Sequence, residues 1–251
     1  MRVSLFLPFL LLQPVFAEYA TVNGVKMYYE IHGMGRPVVL LHGGMHSIAT
    51  SFAKQIPVLA RDHRMIAMEQ MGHGHTPDVA GRKLSYEGMA EDTAALLAHL
   101  GVRNADLVGW SDGGQIALRL AFTHPQLVRR VVASGVGLGA TPEMVQQLGP
   151  QKDFPKLAAS MFPIGYEDYK RVSPDGSQHW DVFGRKGWVM WTGPAWGFTI
   201  EDLTKIQRPV MLVAGDGTNL SGDPEGAALY RSGDGAFDVS GPAGLAKRGG
   251  A

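Results

Sequence analysis

Five short apolar runs constrain this chain more than any other feature. They read VVLL at 38–41, MIAM at 65–68, ADLVGW at 105–110, VVAS at 131–134 and VMLVA at 210–214. A strand with one wet face alternates apolar and polar residues. Runs without that alternation belong to strands buried on both faces, the mark of a parallel sheet. Helical periods lie between them. Ser85 can cap a helix in which Tyr86, Met89, Ala90, Thr93, Leu96, Leu97 and Leu100 recur at three- and four-residue spacing, and Gly101 stops it. The alternation predicts an α/β fold, a doubly wound and mostly parallel sheet with right-handed crossovers. Two strand-like runs precede it, 19–22 and 25–31, split by the hairpin signal Asn23-Gly24.

Composition narrows the class. With 251 residues and 45% of them hydrophobic, the chain can bury a real core, and disorder is excluded. The absence of Cys removes a disulfide scaffold, a thiol nucleophile and Cys-held zinc or iron–sulfur sites. Lys+Arg and Asp+Glu both count 23, so no net positive field collects nucleic acid.

The alternation breaks once. From 135 to 208 no buried strand run appears, yet four of the five Trp fall there, with Phe154, Phe162, Tyr166, Tyr169, Phe183 and Phe198. Some 70 residues between two strands exceed what a structureless loop holds. The expected layout is therefore a core of 18–135 and 205–220, an aromatic-rich helical cap at 136–204 over the carboxyl ends of the strands, and an atypical Gly-rich tail at 221–251. Most of the rings are expected to form the cap's own core, with two or three lining a pocket.

The N-terminus reads as an address. Arg2 precedes an apolar run at 3–15 and a small-residue site ending in Ala17. Thirteen residues or so are too few to span roughly 30 Å of hydrocarbon as a helix. Residues 1–17 are thus expected to be a cleaved secretory signal, and the protein secreted or periplasmic, with no stable membrane span.

The chemistry sits in Gly109-Trp110-Ser111-Asp112-Gly113. It follows the ADLVGW run and opens the helical stretch GGQIALRLAF. A strand-to-helix turn this tight strains the Ser backbone and holds its hydroxyl clear of the sheet, as a nucleophile requires. A second Gly cluster, His42-Gly43-Gly44, follows the 38–41 run. The backbone N–H groups of Gly44 and Asp112 are the expected oxyanion donors; removing one such donor typically costs about 2.7–4 kcal/mol. His42 is expected to be structural, hydrogen-bonded beneath that loop. His73-Gly74-His75 offers a weak metal pair without carboxylate company, and no metal or cofactor is implied.

These blocks resemble the α/β-hydrolase superfamily, in its branch of small capped esterases, lactonases and cofactor-free perhydrolases. The matching stretches are LLHGG at 40–44, EQMGHGHT at 69–76, GWSDGG at 109–114 and PVMLVAGD at 209–216. The resemblance covers roughly 20–220, and it implies a Ser nucleophile, a His base and an orienting carboxylate. It leaves the triad incomplete. Thr218 stands where the family's acid stands, so Asp216 is the nearest candidate, with Asp223 further along. The family's His follows the acid, but all nine His here precede Asp216. The pattern dissolves after about residue 231, as though the last strand, the His loop and the closing helix were lost or replaced. If the base is relocated, His46 and His75 are the local candidates. A missing last strand would leave the 210–214 run as a sheet edge, and unpaired edges invite self-association.

The resulting expectation is a secreted serine hydrolase that cleaves carboxylic esters or lactones of small-to-medium hydrophobic acyl or aryl groups. Ser111 and Asp216 are its catalytic side chains. The alternative is a hydrolase fold that lacks a general base and binds a ligand through its pocket.

Overall fold

The computed structural model describes residues 15–137, 139–193, 200–214, 236–238 and 246–247. Residues 1–14, most of the expected signal, lie outside it, as do Asp216, Thr218, Asp223, Trp196 and Phe198.

A hairpin opens the sheet: β1 (Val15–Val22) pairs antiparallel with β2 (Val25–His32). Asn23 (φ 49°) and Gly24 (φ 82°) make the turn, both in the left-handed region that a two-residue hairpin loop of this twist requires. The strand starts earlier than the 19–22 run indicated. Ala17 lies within it, opposite Glu30, so cleavage after Ala17 would shorten β1 by three residues.

Next come β3 (Arg36–Leu41), α1 (Ile48–Phe52), α2 (Ile56–Leu59), β4 (His63–Met68), α3 (Tyr86–His99), β5 (Ala105–Trp110), α4 (Asp112–Thr123) and β6 (Val128–Ser134). Helices α5 (Pro142–Leu148), α6 (Phe154–Met161), α7 (Pro163–Val172), α8 (Trp180–Thr192) and α9 (Ile200–Thr204) then precede β7 (Val210–Val213). The helix expected after Ser85 is α3, and the Ser85 hydroxyl accepts from the Gly88 N–H at its start.

The sheet order is β1-β2-β4-β3-β5-β6-β7. The five strands from β4 to β7 run parallel, and they carry the five apolar runs. Val39, Leu41, Ile66 and Met68 belong to one buried cluster, and Val38, Leu40, Met65 and Ala67 to the other. Both faces of the central strands are covered, which is why these sequences do not alternate. Beyond β7 the chain adds β8 (Ala236–Asp238), antiparallel to it, and then β9 (Ala246–Lys247). The β7 edge expected to be bare is thus paired along Met211, Leu212 and Val213.

Strand order sets the site. From β3 the chain goes to β4 on one side and later to β5 on the other, so neighbouring strands diverge between β3 and β5. Open α/β sheets bind ligands at such a switch point, beyond the carboxyl ends of the strands. Leu41 pairs with Gly109 there. That register starts the 42–46 loop and the turn at Ser111 side by side.

Candidate active site

Ser111 is half-buried, at φ 53° and ψ −120°. A side chain in that region of backbone space costs on the order of 1–3 kcal/mol and survives only where its surroundings enforce it. Here they do. The Ser111 N–H donates to the Ser134 carbonyl at 2.7 Å, and the Ser111 carbonyl accepts from the N–H groups of Gly114 (2.9 Å) and Gln115 (3.2 Å). A Cβ on Gly113 would overlap the Leu41 carbonyl oxygen, and one on Gly109 would overlap the Gly113 carbonyl. Only glycine lets α4 start this close to β3 and β5.

Gly44 lies against the next residue along. A Cβ there would overlap the Asp112 carboxylate and the Trp191 ring. The structure thus brings Ser111, Asp112 and Gly44 together at the switch point. Asp216 lies outside the described residues.

The Asp112 side chain is a feature that sequence reasoning missed, having assigned this residue only its backbone N–H. The carboxylate is buried, and its Oδ1 accepts from the Tyr86 hydroxyl at 2.7 Å. Trp191 Nε1–H is shared between Oδ1 at 3.1 Å and Oδ2 at 2.9 Å. Burial pushes this carboxyl up to about 6, while the hydrogen bonds from Tyr86 and Trp191 pull the other way.

Aromatic rings surround the turn. Trp110, just before Ser111, packs edge-on against His46 at 5.0 Å between centroids, and His46 meets Phe162 at 5.9 Å. Phe162 reaches Trp191 at 5.8 Å, and Trp191 meets Phe154 at 5.6 Å. A circuit of contacts thus runs from the residue before Ser111, through the 42–46 loop and the cap, to the residue after it. The remaining described cap rings are structural. Tyr169 stacks on Phe183 (5.3 Å, 8°), Trp180 Nε1–H donates to the Pro155 carbonyl, and Trp188 Nε1–H to the Gly149 carbonyl.

The imidazoles separate by environment. His42 is buried; its Nε2 accepts from the Gln70 N–H at 3.0 Å, so its Nδ1–H donates to the Gly43 carbonyl at 2.9 Å. It holds the 42–46 loop from below. His73 and His75 do not converge on one point. His73 is buried against His42 and Phe183, with Nδ1 on the Met71 carbonyl, whereas His75 packs against Tyr28 with its ring tilted, at 4.4 Å between centroids. His75 Nδ1 is also 3.0 Å from Glu69 Oε2, a contact that raises its pKa. His46 has the opposite character. Burial lowers it to about 4, its Nδ1 lies 3.1 Å from Thr50 Oγ1, and its ring belongs to the circuit around Ser111. Of the two relocated-base candidates, His46 has its ring in the circuit around Ser111, and His75 contacts Tyr28 instead.

Comparison with known proteins agrees with this geometry. A family model described as "alpha/beta hydrolase fold" matches residues 36–163. The 2-hydroxymuconate semialdehyde hydrolase of Pseudomonas sp. (strain CF600) is 32% identical over 114 residues, 45% of this chain and 40% of that one. The magnesium-chelatase 30 kDa subunit of Rhodobacter capsulatus is 31% identical over 207 residues, covering 72% of this chain and 70% of that one. The solved structure of Est816, an N-acyl homoserine lactone degrading enzyme, superposes with a TM-score of 0.63 at 26% identity, covering 80% and 83% of the two chains. In the hydrolase match the chain spans about two fifths of its relative's length, and the same holds for two other relatives, at 41% each.

Proposed function

From a chain that belongs to the alpha/beta hydrolase fold family, we propose a serine hydrolase that transfers the acyl group of a carboxylic ester or lactone to water. The observation that carries this reading is the enforced turn at Ser111, beside Gly44 and Asp112 at the switch point of the sheet. The Ser111 hydroxyl oxygen attacks the substrate carbonyl, and its proton passes to a base. The Gly44 and Asp112 N–H groups receive the oxyanion. The tetrahedral intermediate collapses by expelling the alcohol, which takes the proton back, and water then hydrolyses the acyl-enzyme by the same route. Among the described residues, His46 is the base candidate; Asp216 remains the acid candidate. The rings of Phe154, Phe162 and Trp191 favour an apolar acyl or aryl group, and the likeness to a lactone-degrading enzyme supports including lactones. Export through a signal at 1–17 belongs to the same proposal, supported by Arg2 and the apolar run after it. N-terminal sequencing of exported protein that begins at Met1 would remove that part.

A second reading has its own support. No His lies between Asp216 and Ala251, and one of the broad sequence matches is to a chelatase subunit rather than a named hydrolase. On that reading the pocket binds a ligand without turning it over. Hydrolysis of a short p-nitrophenyl ester, compared with the Ser111→Ala and His46→Ala variants, separates the two. Turnover lost in Ser111→Ala supports the hydrolase, and loss in His46→Ala as well places the base. Equal slow background in all three supports the binding protein.

A further inference from the structure

A second cavity lies away from Ser111, between the 81–84 segment that precedes α3 and the outer face of α8. It encloses about 300 Å³, at the lower end of the range for small-molecule pockets. Val182 and Val189, seven residues apart on one face of α8, line it while 40% and 43% exposed. The adjoining face of α8, about 100° round the helix, buries Phe183 and Met190, so this outward apolar stripe is not needed for the cap's own core. Leu84, itself buried, adds to the apolar lining, and Gln151 lines the groove too.

The charged residues lining the groove all carry one sign, and two of them are available. Arg82 is held by Asp92, and Lys186 by both oxygens of Asp78. Lys83 has no ion pair among the described residues. Arg185 reaches only Asp181, at 3.9 Å, with both side chains largely in water, a pairing worth little. Among the described residues, no carboxylate lines the groove. An apolar trough edged by uncommitted cations complements one kind of molecule, an alkyl chain ending in an anion.

We propose that this groove binds a medium-chain fatty acid, its chain along Val182 and Val189 and its carboxylate between Lys83 and Arg185. The proposal is independent of any chemistry at Ser111. Calorimetric titration of the intact chain with decanoate tests it, with decanol as the uncharged probe and Lys83→Glu/Arg185→Glu as the variant. Lys83→Gln/Arg185→Gln and thermal melts guard against misfolding. The expected result is saturable decanoate binding that weakens as salt is raised. It should fall roughly tenfold or more in the charge-reversed variant, the order expected when two ion pairs become two repulsions. The neutral variant should lie between, and decanol should bind more weakly than decanoate. Equal decanoate affinity in all three proteins would put the ligand elsewhere, in the Ser111 pocket for example, and overturn the proposal. So would equal affinity for decanol, or no binding at millimolar concentration.

Discussion

Trp191 of the cap donates its indole N–H to the carboxylate of Asp112, the residue immediately after Ser111. Seventy-nine positions apart in sequence, the two tie the last long cap helix to the strained turn at Ser111. The cap therefore helps to define the site as well as cover it. Trp191→Phe keeps a ring in place and removes the donor from a buried carboxylate. A hydrogen bond to a charged group contributes about 1.5–3 kcal/mol. Urea unfolding of the variant should show a loss of that order, with ester turnover falling alongside. Unchanged stability and turnover would show that the bond is incidental.

Asp112 also fixes a pH dependence. Its carboxyl sits near 6 in the fold, against an ordinary 3.8, because burial disfavours the charge. Between those values the folded chain holds a proton that the unfolded chain has released, so this group lowers stability as pH rises from about 4 to 6. The difference corresponds to roughly 3 kcal/mol. His46, lowered from 6.5 to about 4, works oppositely: the unfolded chain binds the proton there, and stability falls as pH drops through that window. Because the buried imidazoles of His42 and His73 are lowered as well, the parent protein should lose stability overall as pH drops from about 6 toward 4. Asp112→Asn should gain stability relative to the parent as pH rises, and His46→Gln should gain as it falls. Parallel denaturation curves at pH 4, 5, 6 and 7 check both.

Gly44 leaves the space that the Asp112 carboxylate and the Trp191 ring occupy. Gly44→Ala should displace both and shift the proposed oxyanion donors, costing roughly 1–3 kcal/mol in overpacking. Ester turnover should fall by about two orders of magnitude, as for a lost oxyanion donor. A proportionate fall in stability and no specific loss of rate would contradict this role.

Asp78, just past the His73–His75 turn, is a buried anchor for α8. Lys186 bonds both its oxygens, at 2.6 and 2.7 Å, and His179 Nε2 is 2.9 Å from Oδ2. Removing one member of a buried pair leaves the other charge uncompensated and costs about 3–5 kcal/mol; Asp78→Ala also releases His179, whereas Lys186→Met leaves that contact in place. Asp78→Ala should speed hydrogen exchange in α8 more than Lys186→Met does. The reverse order would show that the lysine's desolvation, rather than the aspartate's anchoring, governs the cap.

Much of this was legible in the sequence because it rests on local rules. The runs at 38–41 and 105–110 declare buried parallel strands, and two glycines bracketing Ser111 at fixed spacing allow little but the strand-to-helix turn. His42 beneath the Gly43-Gly44 loop was legible for the same reason. The remainder depends on contacts between distant segments. Nothing around residue 112 tells that Tyr86 and Trp191 meet there, and a carboxylate in that motif reads as an exposed turn residue. Glu69 meets His75 only through the way the 69–76 turn folds back on itself, so that contact could not be foreseen. The start of β1 at Val15 was hidden because its first residues continue the apolar run before them.

The most direct test of the central claim is the steady-state rate of p-nitrophenyl ester hydrolysis by the 251-residue chain, beside its Ser111→Ala variant. A strained serine backed by Gly44 and Asp112 predicts turnover that disappears with the Ser111 hydroxyl. Equal rates in the two proteins would mean that the turn at Ser111 is preserved without its chemistry.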